Sequence, residues 1–83
     1  MKIGTNQLRL LLIASQKGYV EVQDAIRIYK LRYTKGDINK AKWVLQDLEK
    51  INYCLHERDK RWYLTSIGEN TLREKLGYVP RKS

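Results

Sequence analysis

Residues 34–50 read TKGDINKAKWVLQDLEK. Ile38, Ala41, Val44, Leu45 and Leu48 recur at intervals of three and four, which on a helix gathers them into one apolar stripe. The opposite face holds Asn39, Trp43, Gln46 and Lys50, flanked by Lys40 and Lys42. A helix is therefore expected over about residues 37–51, with Asp37 preferred to Thr34 as its N-cap and Asn52 as a left-handed C-terminal stop. This helix would turn its bulkiest apolar side chain, Trp43, away from the leucines and into a group of lysines. Tryptophan is highly buried on average, so the competing expectation is a rotated helix with Trp43 packed under a neighbouring element.

Working towards the N-terminus, Val22, Ala25, Ile26, Tyr29 and Tyr33 form a second stripe, predicting a helix that runs to about Tyr33 with Arg27 and Lys30 on its opposite face. Residues 18–21, GYVE, are β-prone and follow a glycine, so a brief strand or extended connector is expected there. The first helix starts at Thr5 or Asn6, carries Leu8, Leu11 and Leu12 on one face, and ends near Gly18. Leu10 and Ile13 lie on its other side, which suggests burial on two sides, the second being a partner subunit or another helix.

Working towards the C-terminus, Tyr53–Glu57 and Trp62–Thr65 are two β-favouring runs around Arg58-Asp59-Lys60-Arg61, which reads as a hairpin. Ser66 with Glu69 makes a capping box, and Leu72 and Leu76 continue on one face of a fourth helix that stops at Gly77. Residues 78–83, YVPRKS, have no periodicity and form an expected basic tail after a domain spanning residues 1–77.

Composition narrows the function. The chain has 83 residues, enough for one small domain, and 42% hydrophobic with 31% charged residues suits a folded domain. Seventeen Lys and Arg against nine Asp and Glu give a net charge of +8, so a polyanion is the natural partner. Cys54 and His56 are the single cysteine and histidine, which excludes an internal disulfide and falls short of a four-ligand zinc site. No phosphate-cradling glycine loop, H-E-x-x-H motif or nucleophile with an evident base is present, so neither an enzyme nor a cofactor-dependent protein is expected. The apolar run Leu10–Ala14 is far shorter than the roughly 20 residues of a membrane span, and no membrane association is expected.

The order helix, short strand, helix, glycine turn, helix, hairpin, helix resembles the winged helix-turn-helix DNA-binding domain. Leu45-x-x-Leu48-Glu49-Lys50-x-Asn52-Tyr53-Cys54 is similar to the L-x-x-L-E-x-x-G-hydrophobic-hydrophobic segment that ends the recognition helix of that superfamily, with asparagine in place of glycine. Trp62-Tyr63-Leu64-Thr65-x-x-Gly68 resembles the Y-x-L-T-x-x-G segment that closes the wing in MarR-like and small archaeal or archaeal-virus regulators. The matches cover about residues 5–76. The resemblance implies an α+β winged helix-turn-helix: a three-helix core, a two-stranded β-hairpin wing and a C-terminal helix. It also implies a transcriptional regulator that binds double-stranded DNA sequence-specifically, in the cytoplasm at the nucleoid, or in the host cell if the chain is viral.

On that reading the recognition helix, 37–51, enters the major groove and the wing, 57–61, meets the adjacent minor groove or its phosphates. Asn39 and Gln46 suit bidentate pairing with adenine, a lysine suits guanine, and Trp43 a thymine methyl or the sugar-phosphate wall, with Lys50 on the same face as a further DNA-contact candidate. Thr34, Lys35, Lys40 and Lys42 lie near the helix start for phosphate contact, and Arg58, Lys60 and Arg61 supply the wing charge. A homodimer spanning about one helical turn of DNA, roughly 34 Å, is expected through Leu10, Ile13, Leu72, Leu76 and Tyr78, the alternative being that the first and fourth helices pack on each other within one chain. The competing functional readings are a protein-interaction module of the transcription or replication machinery and a nonspecific DNA architectural protein.

Overall fold

The computed structural model describes residues 3–77. The chain runs α1 (Thr5–Lys17), α2 (Val22–Ile28), α3 (Lys35–Lys50), β1 (Leu55–Arg58), β2 (Arg61–Leu64) and α4 (Ser66–Leu76). The expectations placed on residues 78–83, including Tyr78 at a dimer contact, lie outside the described residues.

The stripe that defines α3 is the centre of the core. Ala41, Leu45 and Leu48 are fully buried, with Ile38 and Val44 packed at their edges. They meet Leu10, Leu11 and Ala14 of α1, Ala25 and Ile26 of α2, and Leu72 of α4 in one cluster. Each fully buried leucine contributes roughly 1.5–3 kcal/mol of transfer free energy, so this stripe fixes the rotation of α3 about its axis. Trp43 accordingly points outward and is 64% exposed, which removes the alternative of a helix rotated to bury it.

The leucines expected at a dimer contact require correction. Leu10 and Leu72 are completely buried within one chain, because α1 and α4 pack against each other there. Neither can meet a partner surface. Ile13 packs partly buried at the core edge, and Leu76 is exposed at the end of α4.

Several helix ends also differ from expectation, each for a local reason. Gly4 rather than Thr5 or Asn6 is the N-cap of α1, and its N–H donates to Gln7 Oε1 at 2.9 Å. The α2 helix stops at Ile28 instead of reaching Tyr33, because Lys30 adopts a left-handed conformation with φ 55°. Leu31 N–H then donates to Ile26 O at 2.9 Å and Lys30 N–H to Arg27 O at 3.4 Å, the paired bonds of a Schellman stop made without glycine. Thr34, not Asp37, caps α3: its Oγ1 accepts from Asp37 N–H at 3.3 Å, while the Asp37 carboxylate accepts from Arg32 N–H at 2.9 Å. After α3 the left-handed residue is Tyr53, with φ 55°, and Asn52 is buried beside it.

The hairpin pairs Leu55 with Leu64, His56 with Tyr63, Glu57 with Trp62 and Arg58 with Arg61. Its loop is Asp59-Lys60 alone, both with positive φ, the geometry of a two-residue turn whose twist matches that of the strands. Val20, in the connector after Gly18, joins the outer edge of β2: Val20 and Trp62 exchange both backbone hydrogen bonds, at 2.8 and 2.9 Å. The brief strand expected there is thus a single bridge.

The segment Leu64-Thr65-x-x-Gly68 has a clear physical role. Thr65, rather than Ser66, caps α4, accepting from Gly68 N–H at 3.1 Å and donating its hydroxyl to Tyr53 O at 2.6 Å. Gly68 sits so close to the turn after α3 that an added Cβ would overlap the Cys54 carbonyl oxygen and the Leu64 side chain. These contacts lock the hairpin base to both α3 and α4. At the far end, Gly77 closes α4 in the left-handed region, as Gly18 closes α1.

Candidate nucleic-acid interface

Burial of the Ala41, Leu45 and Leu48 stripe forces the other face of α3 into solvent. Lys35, Asn39, Lys42, Trp43 and Lys50 are exposed on it, and Gln46 is half-buried where that face turns towards the hairpin. Lys40 is also exposed, with its ammonium 3.8 Å from Asp37 Oδ1, a loose pair at the helix start. Thr34 uses its oxygen as the N-cap acceptor, which leaves its hydroxyl hydrogen available to an outside acceptor. The side chains of Lys35, Lys42 and Lys50 have no ion pair or hydrogen bond among the described residues.

At the tip of the hairpin, Arg58 ends β1 and Asp59 and Lys60 form the turn, all three exposed. Arg61, the first residue of β2, is exposed beside them but has partners of its own. Directly opposite Arg58 in the register, it turns its side chain to the connector that runs beside β2, with Nε 3.2 Å from Glu21 Oε1 and its guanidinium 4.3 Å from the centre of the Tyr19 ring. The neighbouring Tyr19 ring and the Glu21 carboxylate both hold the Arg61 pKa above its already high ordinary value. Lys17 approaches the same Tyr19 ring at 4.8 Å and pairs with the buried Asp24 at 3.0 Å. Arg61 therefore ties the hairpin to the connector between α1 and α2 while it remains exposed next to the turn.

Between α3, the start of α2 and the hairpin lies an open groove of about 740 Å³. Lys42, Gln46 and Lys50 of α3 and Lys60 of the turn reach it, so the structure brings four of the sequence-derived candidates together around one concavity. Trp43 and Asn39 face outward beside it, and Lys35 and Lys40 lie towards the start of α3.

Sequence reasoning passed over three acids in this groove. Glu49 accepts from Glu57 N–H at 3.0 Å and lies 4.0 Å from His56 Nδ1, tying α3 to β1. Glu57 accepts from Lys60 N–H at 3.2 Å, closing the turn. Glu21 holds Arg61. Only Glu49 was accessible to sequence reasoning, since it falls beside Lys42 on the helical wheel; Glu21 and Glu57 arrive through tertiary pairing. The exposed Tyr33, Ile51 and Tyr53 were also missed as surface features. Their exposure follows from the early end of α2 and the left-handed turn after α3.

Cys54 is fully buried with its Sγ 3.7 Å from Thr71 Oγ1, and burial pushes its thiol pKa up, which disfavours the reactive thiolate. His56 is exposed on the outside of β1. Among the described residues no group of three His, Cys, Asp or Glu side chains is placed to hold a metal ion, and no helix is long and apolar enough to cross a membrane. Comparison with protein-family models, with curated proteins and with solved structures finds no match to this chain.

Proposed function

We propose that this protein is a winged helix-turn-helix regulator that binds double-stranded DNA sequence-specifically, with α3 in the major groove and the hairpin turn on the adjacent minor groove or its phosphates. The observation that carries the reading is the outer face of α3. It offers amide side chains, Asn39 and Gln46, between unpaired lysines, Lys35, Lys42 and Lys50, on a helix whose opposite face is locked into the core. Amides pair bidentately with adenine, and unpaired ammonium groups neutralise phosphates without first breaking an internal ion pair. A helix fits the major groove, about 12 Å wide, and Lys60 of the hairpin turn lines the same groove as Lys42, Gln46 and Lys50 of α3, with Arg58 exposed next to the turn. The net charge of +8 supports the same partner.

Selection of bound sequences from random duplexes, followed by salt titration on the enriched site, tests this. A regulator enriches a defined motif, and its affinity falls by about 10³–10⁵ between 50 and 200 mM salt if six to ten phosphates are neutralised. Binding without any enriched motif would replace the regulator with an architectural protein. The second reading, a protein-interaction module, is favoured by one observation: Trp43, Ile51 and Tyr53 expose large apolar side chains on α3 and the turn that follows it. Absence of DNA binding at low salt would move the assignment there.

A further inference from the structure

We propose that Trp43 restricts the target of α3 to a site carrying a C5-methyl pyrimidine, read by apolar contact on the floor of the major groove. This rests on the DNA reading above and names the base feature that the bound site must contain. At about 100° per residue, Asn39, Trp43 and Lys50 fall within about 30° of the direction opposite the buried Ala41, Leu45 and Leu48. Lys35, Lys40 and Lys42 lie further round, on the flanks. When a helix enters the groove with its core face outermost, side chains aimed straight away from the core meet the base edges, and those on the flanks meet the phosphate walls.

Trp43 is 64% exposed, and among the described residues no aromatic or cation–π pair involves its ring. The fold therefore gains little from an indole held there. On a groove floor it has one apolar counterpart, the C5 methyl group of thymine or of 5-methylcytosine. Against the amino and carbonyl edges of the other bases it would exclude water and offer a single N–H in return, which costs affinity. Trp43 thus favours the methyl-bearing pair both by contact and by the penalty it imposes elsewhere. Its spacing from Asn39 places that pair. Four residues advance about 6 Å along a helix, and base pairs are stacked about 3.4 Å apart, so the methyl lies within about two base pairs of the adenine that Asn39 suits.

The test takes the site enriched from random duplexes and replaces each thymine in turn by uracil, which deletes the C5 methyl and keeps the base pairing. At one thymine the full chain should bind about three- to fivefold more weakly, the worth of one methyl group returned to water. Replacing that T·A pair by C·G and by 5-methylcytosine·G separates the two sources of the methyl. The methylated pair should bind more tightly than the unmethylated one by about the same factor, and whichever of thymine and 5-methylcytosine binds tighter is the source. Trp43→Ala changes an exposed side chain, so with an unchanged thermal melt it should bind the thymine and uracil sites equally, and Trp43→Phe should restore the difference. Uracil tolerated at every thymine, or a methyl dependence that survives in Trp43→Ala, would overturn this inference and leave the sequence-specific regulator standing. Failure to enrich any site, or to bind duplex DNA at all, would instead remove the regulator reading and this inference with it.

Discussion

Arg61 Nε lies 3.2 Å from Glu21 Oε1, so the cation nearest the hairpin turn on β2 is spent on the connector between α1 and α2. Its cross-strand neighbour Arg58 has no such partner among the described residues. Like charges directly opposite each other on a hairpin repel, and Glu21 relieves that pair by taking one of them. The two arginines should therefore separate experimentally. Arg58→Ala should weaken DNA binding uniformly across sequences and reduce the salt slope by about one. Arg61→Ala should leave the slope nearly unchanged and lower the melting temperature instead. Salt titrations and thermal melts of both variants provide the check.

Gly68 is required by the approach of the Cys54 carbonyl, not by its own backbone angles. Gly68→Ala should cost about 1–3 kcal/mol, because the new methyl group meets backbone that cannot move without breaking the Thr65 contact to Tyr53 O. Urea denaturation of the variant measures it. A neutral substitution would mean that the junction between hairpin and α4 is looser than described.

Leu10 is completely buried inside one chain. Leu10→Ala should destabilise by about 2–5 kcal/mol, and the loss should be the same at every protein concentration. An interface leucine would instead give a melting temperature that rises with concentration, as mass action demands. Melts across a hundredfold concentration range distinguish the two.

Burial raises the Cys54 thiol pKa from its ordinary 9.0, so the folded chain holds this proton more tightly than the unfolded chain does. The associated stability is fully present below the ordinary value and is lost as pH rises through it towards the raised one. Between pH 7 and 9.5 the wild type should lose more stability than Cys54→Ala, in denaturant titrations at the two pH values. Native Cys54 should also resist alkylation by iodoacetamide at neutral pH, reacting only on unfolding.

The rotation of α3 was legible because burial imposes a period of 3.6 on Ile38, Ala41, Val44, Leu45 and Leu48, and that period fixes the outward positions of Asn39, Trp43 and Lys50 as well. Gly18 and Gly77 were legible as stops because glycine enters the left-handed region without penalty. Lys30 and Tyr53 enter that region without such a marker, which is why α2 looked too long and Asn52 looked like the stop. The capping threonines Thr34 and Thr65 stood next to equally good candidates, Asp37 and Ser66, and local sequence does not choose between them. The role of Arg61 was out of reach for a different reason: its partner Glu21 is distant in sequence and is delivered by the Val20–Trp62 bridge.

The central claim is that the outer face of α3 reads base edges. The most direct test compares wild type with the Asn39→Ala, Gln46→Ala double variant, measuring affinity for the selected site and for a scrambled duplex of equal length and charge. Each bidentate amide contributes roughly 1–3 kcal/mol of discrimination, so the ratio of the two affinities should collapse by at least about tenfold while binding to the scrambled duplex stays nearly constant. An unchanged ratio would contradict the account.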